Sequence, residues 1–366
     1  MHLRPRRQVT TAGLAIFAVA LAACSSSSSP TTTATGTSTG GASAAASGAK
    51  LSGTLNGSGS SFQLIFQQTA IQNFKTVQPN MTVNYGGGGS GKGRTDLSSG
   101  VTNFAGSDSP VPTAEESNFA GKTVLYFPVF LGPITVSYNL SGVSNLKLDA
   151  TVLANIFQGK ITKWNDPAIA ALNSGVSLPS TAVTIAVRSD SSGTTQNFSL
   201  YLEKAAGSAW TLGSSSTIKW PATARAGMGN GGVAQIIKST PGAIGYVDYA
   251  DAKAASLSFA SIKNSSGNYI APSPESASAA GSAITVSANL TFHAVDSPAP
   301  QAYPITYQSW VLVIQAQSNS NNAAMLKAYI TYLLGDGQQL LSGLGYAPLP
   351  ANILSMAQAQ IPKIGT

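Results

Sequence analysis

The sequence of 366 residues has one cysteine, two histidines and little charge, with only 9% of its residues Asp, Glu, Lys or Arg. A lone cysteine, Cys24, excludes an internal disulfide framework and any cysteine-rich zinc site. Of the two histidines, His2 lies in an N-terminal segment that reads as removable, which leaves His293 alone. A Ser-His-Asp triad or a histidine metal site would have to be built on that single imidazole, and His293 reads as an ordinary loop or strand residue. No basic run follows Arg7, so the formal charge of +7 is no nucleic-acid footprint. Arg4, Arg6 and Arg7 would leave with the N-terminal segment, and the modest, diffuse positive charge that remains suits attraction of an anion. What is plentiful is apolar: 43% of residues are hydrophobic, enough for real cores, and the length suits two domain-sized units.

The N-terminus carries an address. Met1 to Arg7 is basic, and the apolar run Thr11 to Ala20 is too short to span a bilayer as a stable helix. It ends in Leu21-Ala22-Ala23-Cys24, which resembles a bacterial lipobox. The resemblance implies a lipoprotein signal peptide over 1–23, with Cys24 as the lipidated first residue of the mature chain. Arg6-Arg7 fits a twin-arginine signal poorly. Residues 25–50 have no aromatic side chain and no charge before Lys50. Such a segment cannot offset its ordering entropy, so 24–50 is expected to be a flexible tether with a reach of roughly 25–30 Å.

From Leu51 the pattern alternates between strand and helix. Phe62, Ile65, Phe66, Ala70, Phe74 and Val77 recur at helical spacing, and Pro79 closes that helix. Strands are expected over Met81 to Tyr85, Val124 to Val129, Ile134 to Tyr138, Val183 to Arg188 and Trp310 to Ile314. Helices are expected after Asp149, after Ser192, around Val233 to Lys238 and from Asn321 to Leu334. Open α/β sheets follow from this alternation, with ligands at the C-terminal ends of strands.

Four short segments stand out, each rich in small hydrogen-bond donors near an expected helix start. They are 57–62 (GSGSSF), 84–91 (NYGGGGSG), 104–110 (FAGSDSP) and 187–194 (VRSDSSGT). Free backbone N–H groups and the positive end of a helix dipole make such turns anion sites. Hydroxyls add directed donors, and the guanidinium of Arg188 can meet two oxygens at once. Gly86 to Lys92 also fits GxxxxGK, but Gly93 stands where a Ser or Thr should hold magnesium, so a nucleotide-binding P-loop is set aside.

In these segments the chain resembles the substrate-binding protein of the bacterial phosphate-specific ABC transporter. Supporting stretches are 125–133 (LYFPVFLGP), 156–166 (IFQGKITKWND), 229–233 (GNGGV), 241–247 (PGAIGYV) and 303–306 (YPIT). The resemblance runs from about Leu51 to the C-terminus. It implies an α/β, two-lobed periplasmic-binding-protein fold of type II, two open α/β domains joined by two hinge crossings near Val129 to Gly132 and Ala302 to Thr306. Lobe 1 would comprise 51–130 and 304–366, and lobe 2 would be 131–303. Carried onto this chain, the phosphate-binding residues are Ser61, Phe62, Ser90 and Asp108 from one lobe and Arg188, Ser192, Gly193 and Thr194 from the other. Asp190 orients Arg188, and Ser61 stands where many relatives carry Thr. Lys92 and Arg94 are read as rim charges.

The implied protein is an extracytoplasmic monomer on the outer face of the cell membrane, handing phosphate to permease subunits, with no cofactor, metal or catalytic residue. Sulfate or molybdate binding is the nearest alternative, and an adhesin or a phosphate sensor without transport is another. A hydrolase would need an activated nucleophile or a metal, and neither is plain in the sequence.

Overall fold

The computed structural model describes residues 51–366, so the readings of the signal peptide, Cys24 and the tether lie outside the described residues. The chain opens with β1 (Gly53–Gly59), a tight turn and α1 (Leu64–Val77), then β2 (Met81–Gly86), α2 (Ser90–Ser98) and β3 (Phe104–Ser107). The short α3 (Thr113–Glu116) precedes β4 (Val124–Tyr138), the longest strand described. After β5 (Lys147–Leu148) come α4 (Ala150–Phe157), α5 (Pro167–Leu172), β6 (Thr184–Arg188) and α6 (Gly193–Ala206). Next are β7 (Arg225–Gly227), α7 (Gly229–Ser239), β8 (Ala243–Asp248) and α8 (Tyr249–Ala254). Three short strands, β9 (Ser258–Phe259), β10 (Ser261–Lys263) and β11 (Tyr269–Ile270), lead to α9 (Pro274–Gly281). The chain ends through β12 (Thr306–Ile314), α10 (Ser320–Leu333) and α11 (Ala351–Gln360).

The main sheet runs β2-β1-β3-β12-β4-β8-β6-β7, with β9 beside β4, and a small sheet of β11-β10-β5 lies apart from it. β1 pairs in parallel with β2 and β3, and β6 does so with β7 and β8; every pairing of β4 and β12 is antiparallel. The expected strands at 124–129 and 134–138 are one unbroken strand. From Val124 to Pro133 it pairs with β12, and from Ile134 to Tyr138 it pairs with β8. Gly132-Pro133 therefore marks a change of partner, not a break. Pro133 sits at the end of the β12 pairing, where its missing N–H interrupts no ladder. Gly132 is required by packing: a Cβ there would lie 2.5 Å from the ring of Phe62.

That ring is the centre of the core near the partner change. Phe62 stacks on Tyr307 of β12 at 4.0 Å between ring centroids and meets Phe130 of β4 edge-on at 4.9 Å. Tyr346 donates its phenol hydrogen to the Phe62 carbonyl at 2.9 Å. The aromatic packing thus fixes the turn after β1 relative to both crossing strands, and the turn is where the first donor segment lies.

Candidate anion-binding site

All four donor segments lie at C-terminal ends of parallel strands, and all four come together. The turn 60–63 follows β1, the glycine run 87–89 follows β2, Asp108 follows β3, and 189–192 follows β6. Parallel β1, β2 and β3 deliver three of them to one end of one half of the sheet, and β6 delivers the fourth from the other half. The halves touch directly there. Gly91 N–H donates to the Ser191 carbonyl at 3.0 Å, and Asn197 of α6 donates its side-chain N–H to the Asp108 carbonyl at 2.6 Å.

Asp108 is the buried acceptor, with 1% of its surface exposed. The Ser60 hydroxyl spans both carboxyl oxygens at 2.7 Å, Ser309 of β12 donates to Oδ1, and Ser90 donates to Oδ2 at 3.4 Å. Ser90 Oγ in turn accepts the Asp108 backbone N–H at 3.1 Å. Burial pushes the Asp108 carboxyl up to about 6, against the pull of these hydroxyls and the positive charge of Arg188. Ser309 reaches the site from β12, at the point where the register of β12 against β4 shifts and Val129 of β4 is left without a partner.

Arg188 faces the site from the other half, 5% exposed. Its Nε donates to Asp190 Oδ1 at 2.8 Å and its Nη2 to Asp190 Oδ2, a two-point ion pair that holds the guanidinium plane. Burial raises Asp190, but the bonds and charge of Arg188 and the Gly229 N–H outweigh it, and the carboxyl is held below the usual range. The remaining nitrogen, Nη1, donates to Thr194 Oγ1 at 3.2 Å and Asn230 Oδ1 at 3.4 Å.

Helix α6 begins at this point because Ser192 caps it, its Oγ accepting the Thr195 N–H at 3.1 Å. The Ser192 N–H is already bonded to the Ser216 carbonyl at 2.9 Å, which leaves its hydroxyl hydrogen. Gly193 and Thr194 are the first two helical residues, so their N–H groups have no intrahelical acceptor. Phe62 N–H donates to Ser60 Oγ at 3.1 Å, and Ser61 Oγ faces Asn230. The structure thus gathers Ser61, Phe62, Ser90, Asp108, Arg188, Asp190, Ser192, Gly193 and Thr194 at one place. The chemistry is that of an anion receptor: hydroxyls and amides on both sides, a guanidinium on one, and two carboxyls, of which Asp190 is paired with Arg188 and Asp108 is held among hydroxyls.

Sequence reasoning missed Ser60, Ser309 and Asn230. The signal for Asn230 was present, since 229–233 (GNGGV) is another small-donor stretch that opens a helix, α7. Ser60 lies inside the first segment. Ser309 carries no local signal, because only the pairing of β12 with β3 and β4 brings it to Asp108.

Arg94 is not a rim charge. It is 1% exposed, bonded to Glu115 at 2.6 and 2.9 Å, and it donates to Ser107 and Ser109 Oγ at 3.3 and 3.1 Å. Two residues apart on a helix lie on opposite faces, so Lys92 points outward and pairs with Asp96 at 2.6 Å while Arg94 points in. Arg94 thereby braces both neighbours of Asp108.

The family model of the PBP superfamily domain matches residues 44–337. Phosphate-binding protein PstS 3 of Mycobacterium tuberculosis is 35% identical over 361 residues, 96% of this chain and 96% of that protein. Phosphate-binding protein PstS of Pasteurella multocida is 35% identical over 318 residues, 84% of this chain and 89% of that protein. Among solved structures, a high-affinity periplasmic phosphate-binding protein bound with phosphate aligns with a TM-score of 0.68 at 22% identity, over 84% of this chain and 94% of that one. A phosphate-binding protein from Stenotrophomonas maltophilia aligns with a TM-score of 0.68 at 18% identity, over 84% and 93%. These two likenesses show the periplasmic-binding-protein fold. By the family model and the extent of its relatives' identity, the chain belongs to the PBP superfamily and, within it, to the phosphate-binding protein PstS family.

Proposed function

We propose that the protein binds inorganic phosphate outside the cytoplasm and delivers it to the permease subunits of an ABC importer. The observation that carries this reading is Asp108, a buried acceptor among donors. An ionised carboxylate only accepts, so it pairs with a ligand oxygen that still carries a proton, which phosphate has near neutral pH and sulfate lacks. The ligands in this reading are Ser61, Phe62, Ser90 and Asp108 on one lobe and Arg188, Ser192, Gly193 and Thr194 on the other, with Asp190 orienting Arg188. The protein acts as a monomeric carrier, not an enzyme, held at the membrane by a lipid on Cys24. Calorimetric titration of the chain from Leu51 with phosphate and sulfate tests it: phosphate saturates one site and sulfate gives no heat. Equal binding of the two anions would overturn the phosphate reading.

The carrier works by hinge closure. The two lobes, 51–130 with 304–366 and 131–303, move about the partner change in β4 and the entry to β12. The anion favours the closed state because only there do both lobes contact it. Gly193 supports a tight closed state: a Cβ on it would lie 2.6 Å from Asp108 Cβ and closer still to Ser90 Oγ. Gly193→Ala should therefore weaken phosphate binding by more than about tenfold through overpacking at the lobe contact. Thermal unfolding without phosphate should change little, since Gly193 is not at positive φ. Unchanged affinity would argue against closure at this contact.

A further inference from the structure

We infer that Asn230 is a positioning residue that commits two hydroxyls, one on each lobe, to act as donors toward the bound anion. The inference rests on the phosphate-binding reading of the site. Asn230 is fully buried at the start of α7, on the second half of the sheet, and it reaches both halves. Its backbone N–H and its Nδ2 each donate to Ser61 Oγ at 3.2 Å. Nδ2 also donates to Thr194 Oγ1 at 3.4 Å, and Oδ1 accepts from Arg188 Nη1 at 3.4 Å.

A hydroxyl has two acceptor lone pairs and one hydrogen. At Ser61 both acceptor positions are taken by Asn230, so the hydrogen is left to point elsewhere. At Thr194 the acceptor positions are taken by Asn230 Nδ2 and Arg188 Nη1. Its hydrogen has Tyr307 as the other protein neighbour, at a long 3.5 Å. Thr194 is thereby fixed as a donor before an anion arrives, since Asn230 and Arg188 share its half of the sheet, and Ser61 becomes one as the halves come together. A hydroxyl preset this way loses less orientational freedom on binding. Because Ser61 belongs to one half and Thr194 to the other, the same amide forms its full set of bonds only when the halves are together.

The roles reverse if the amide becomes a carboxylate. Asp at 230 has nearly the same shape but accepts, so it would draw the Ser61 and Thr194 hydrogens toward itself and away from the anion. A residue that merely filled space would tolerate Asp better than Ala. A residue that sets hydroxyl direction would tolerate it worse.

The test is phosphate affinity for the parent, Asn230→Ala and Asn230→Asp, each also in a Ser61→Ala background, with ligand-free thermal unfolding measured throughout. The expected order is parent, then Ala weaker by about tenfold, then Asp weaker by about a hundredfold, the size of unmet or reversed buried hydrogen bonds. In the Ser61→Ala background the Asn230→Ala loss should shrink to about threefold, because the part exerted through the Ser61 hydroxyl is gone and the part exerted through Thr194 remains. An Asp variant that binds as well as the Ala variant, or losses that add in full with Ser61→Ala, would overturn the positioning role. So would an Asn230→Ala affinity within twofold of a parent that binds phosphate, which leaves the carrier reading intact. A parent that does not bind phosphate would remove the reading on which the inference rests.

Discussion

Arg188→Met should weaken phosphate binding by about 2–4 kcal/mol, roughly thirty-fold to a thousand-fold, in a calorimetric titration. The guanidinium is the one full positive charge in the four donor segments that come together, and it is almost wholly out of water. Asp190 holds two of its nitrogens, so its plane is set before any ligand arrives. Removing it loses a charge-assisted pair and also leaves the Asp190 carboxylate, 8% exposed, facing the anion without its partner. Two effects are therefore mixed in the single variant, since an unpaired buried carboxylate also destabilises the fold, by about 3–5 kcal/mol.

A second substitution separates them. Asp190→Leu in the Arg188→Met background removes the stranded charge and should restore much of the ligand-free thermal stability. It should not restore phosphate binding. Arg188→Lys keeps the charge but not the fork, and should fall between parent and Met. Phosphate affinity of the Met variant within threefold of the parent would remove Arg188 from the ligand set.

Much of this site was legible in the chain because its chemistry is local. Turns such as 57–62 and 187–194 combine small residues with a helix start, and that pattern needs no knowledge of distant partners. Ser309 and the partners of Asn230 were not legible for the opposite reason. Ser309 meets Asp108 across 201 positions, and Asn230 meets Ser61 across 169. Sheet order, not local propensity, creates those contacts. Helix α1 begins at Leu64, after Phe62, whose ring is held in the stack with Tyr307 and against Phe130. Arg94 was misread since nothing in 90–98 (SGKGRTDLS) distinguishes a buried charge from an exposed one; Glu115 and the serines beside Asp108 decide it. Even β4, expected as two strands over Val124 to Val129 and Ile134 to Tyr138, is one strand whose partner changes after Gly132-Pro133, a change that only the sheet order creates.

Asp108→Asn should convert a phosphate-selective site into one that also takes sulfate. Every other group proposed to touch the ligand donates, and donors serve either anion. In that proposed set Asp108 alone would read the ligand proton, and a site built around such a bond can reject the analogue lacking it by roughly 10⁴–10⁵. Asn keeps the shape and offers an N–H, so phosphate binding should be largely retained while the sulfate gap narrows to less than about a hundredfold. The raised carboxyl supplies a second arm with the parent protein itself. Its value of about 6 means that it carries a proton below that pH and is ionised above it. Sulfate can be met only by the protonated form, so sulfate affinity should rise about tenfold per unit as pH falls from 8 toward 6, and level off below about 6. Phosphate brings its own proton and should show no such slope. In Asp108→Asn the sulfate slope should vanish, because nothing at 108 titrates. Paired titrations of both proteins with both anions, in chloride buffers from pH 5 to 8, read all of this. A parent that binds sulfate with no pH slope, or an Asn variant that rejects it as strongly as the parent does at pH 8, would remove Asp108 as the selectivity group.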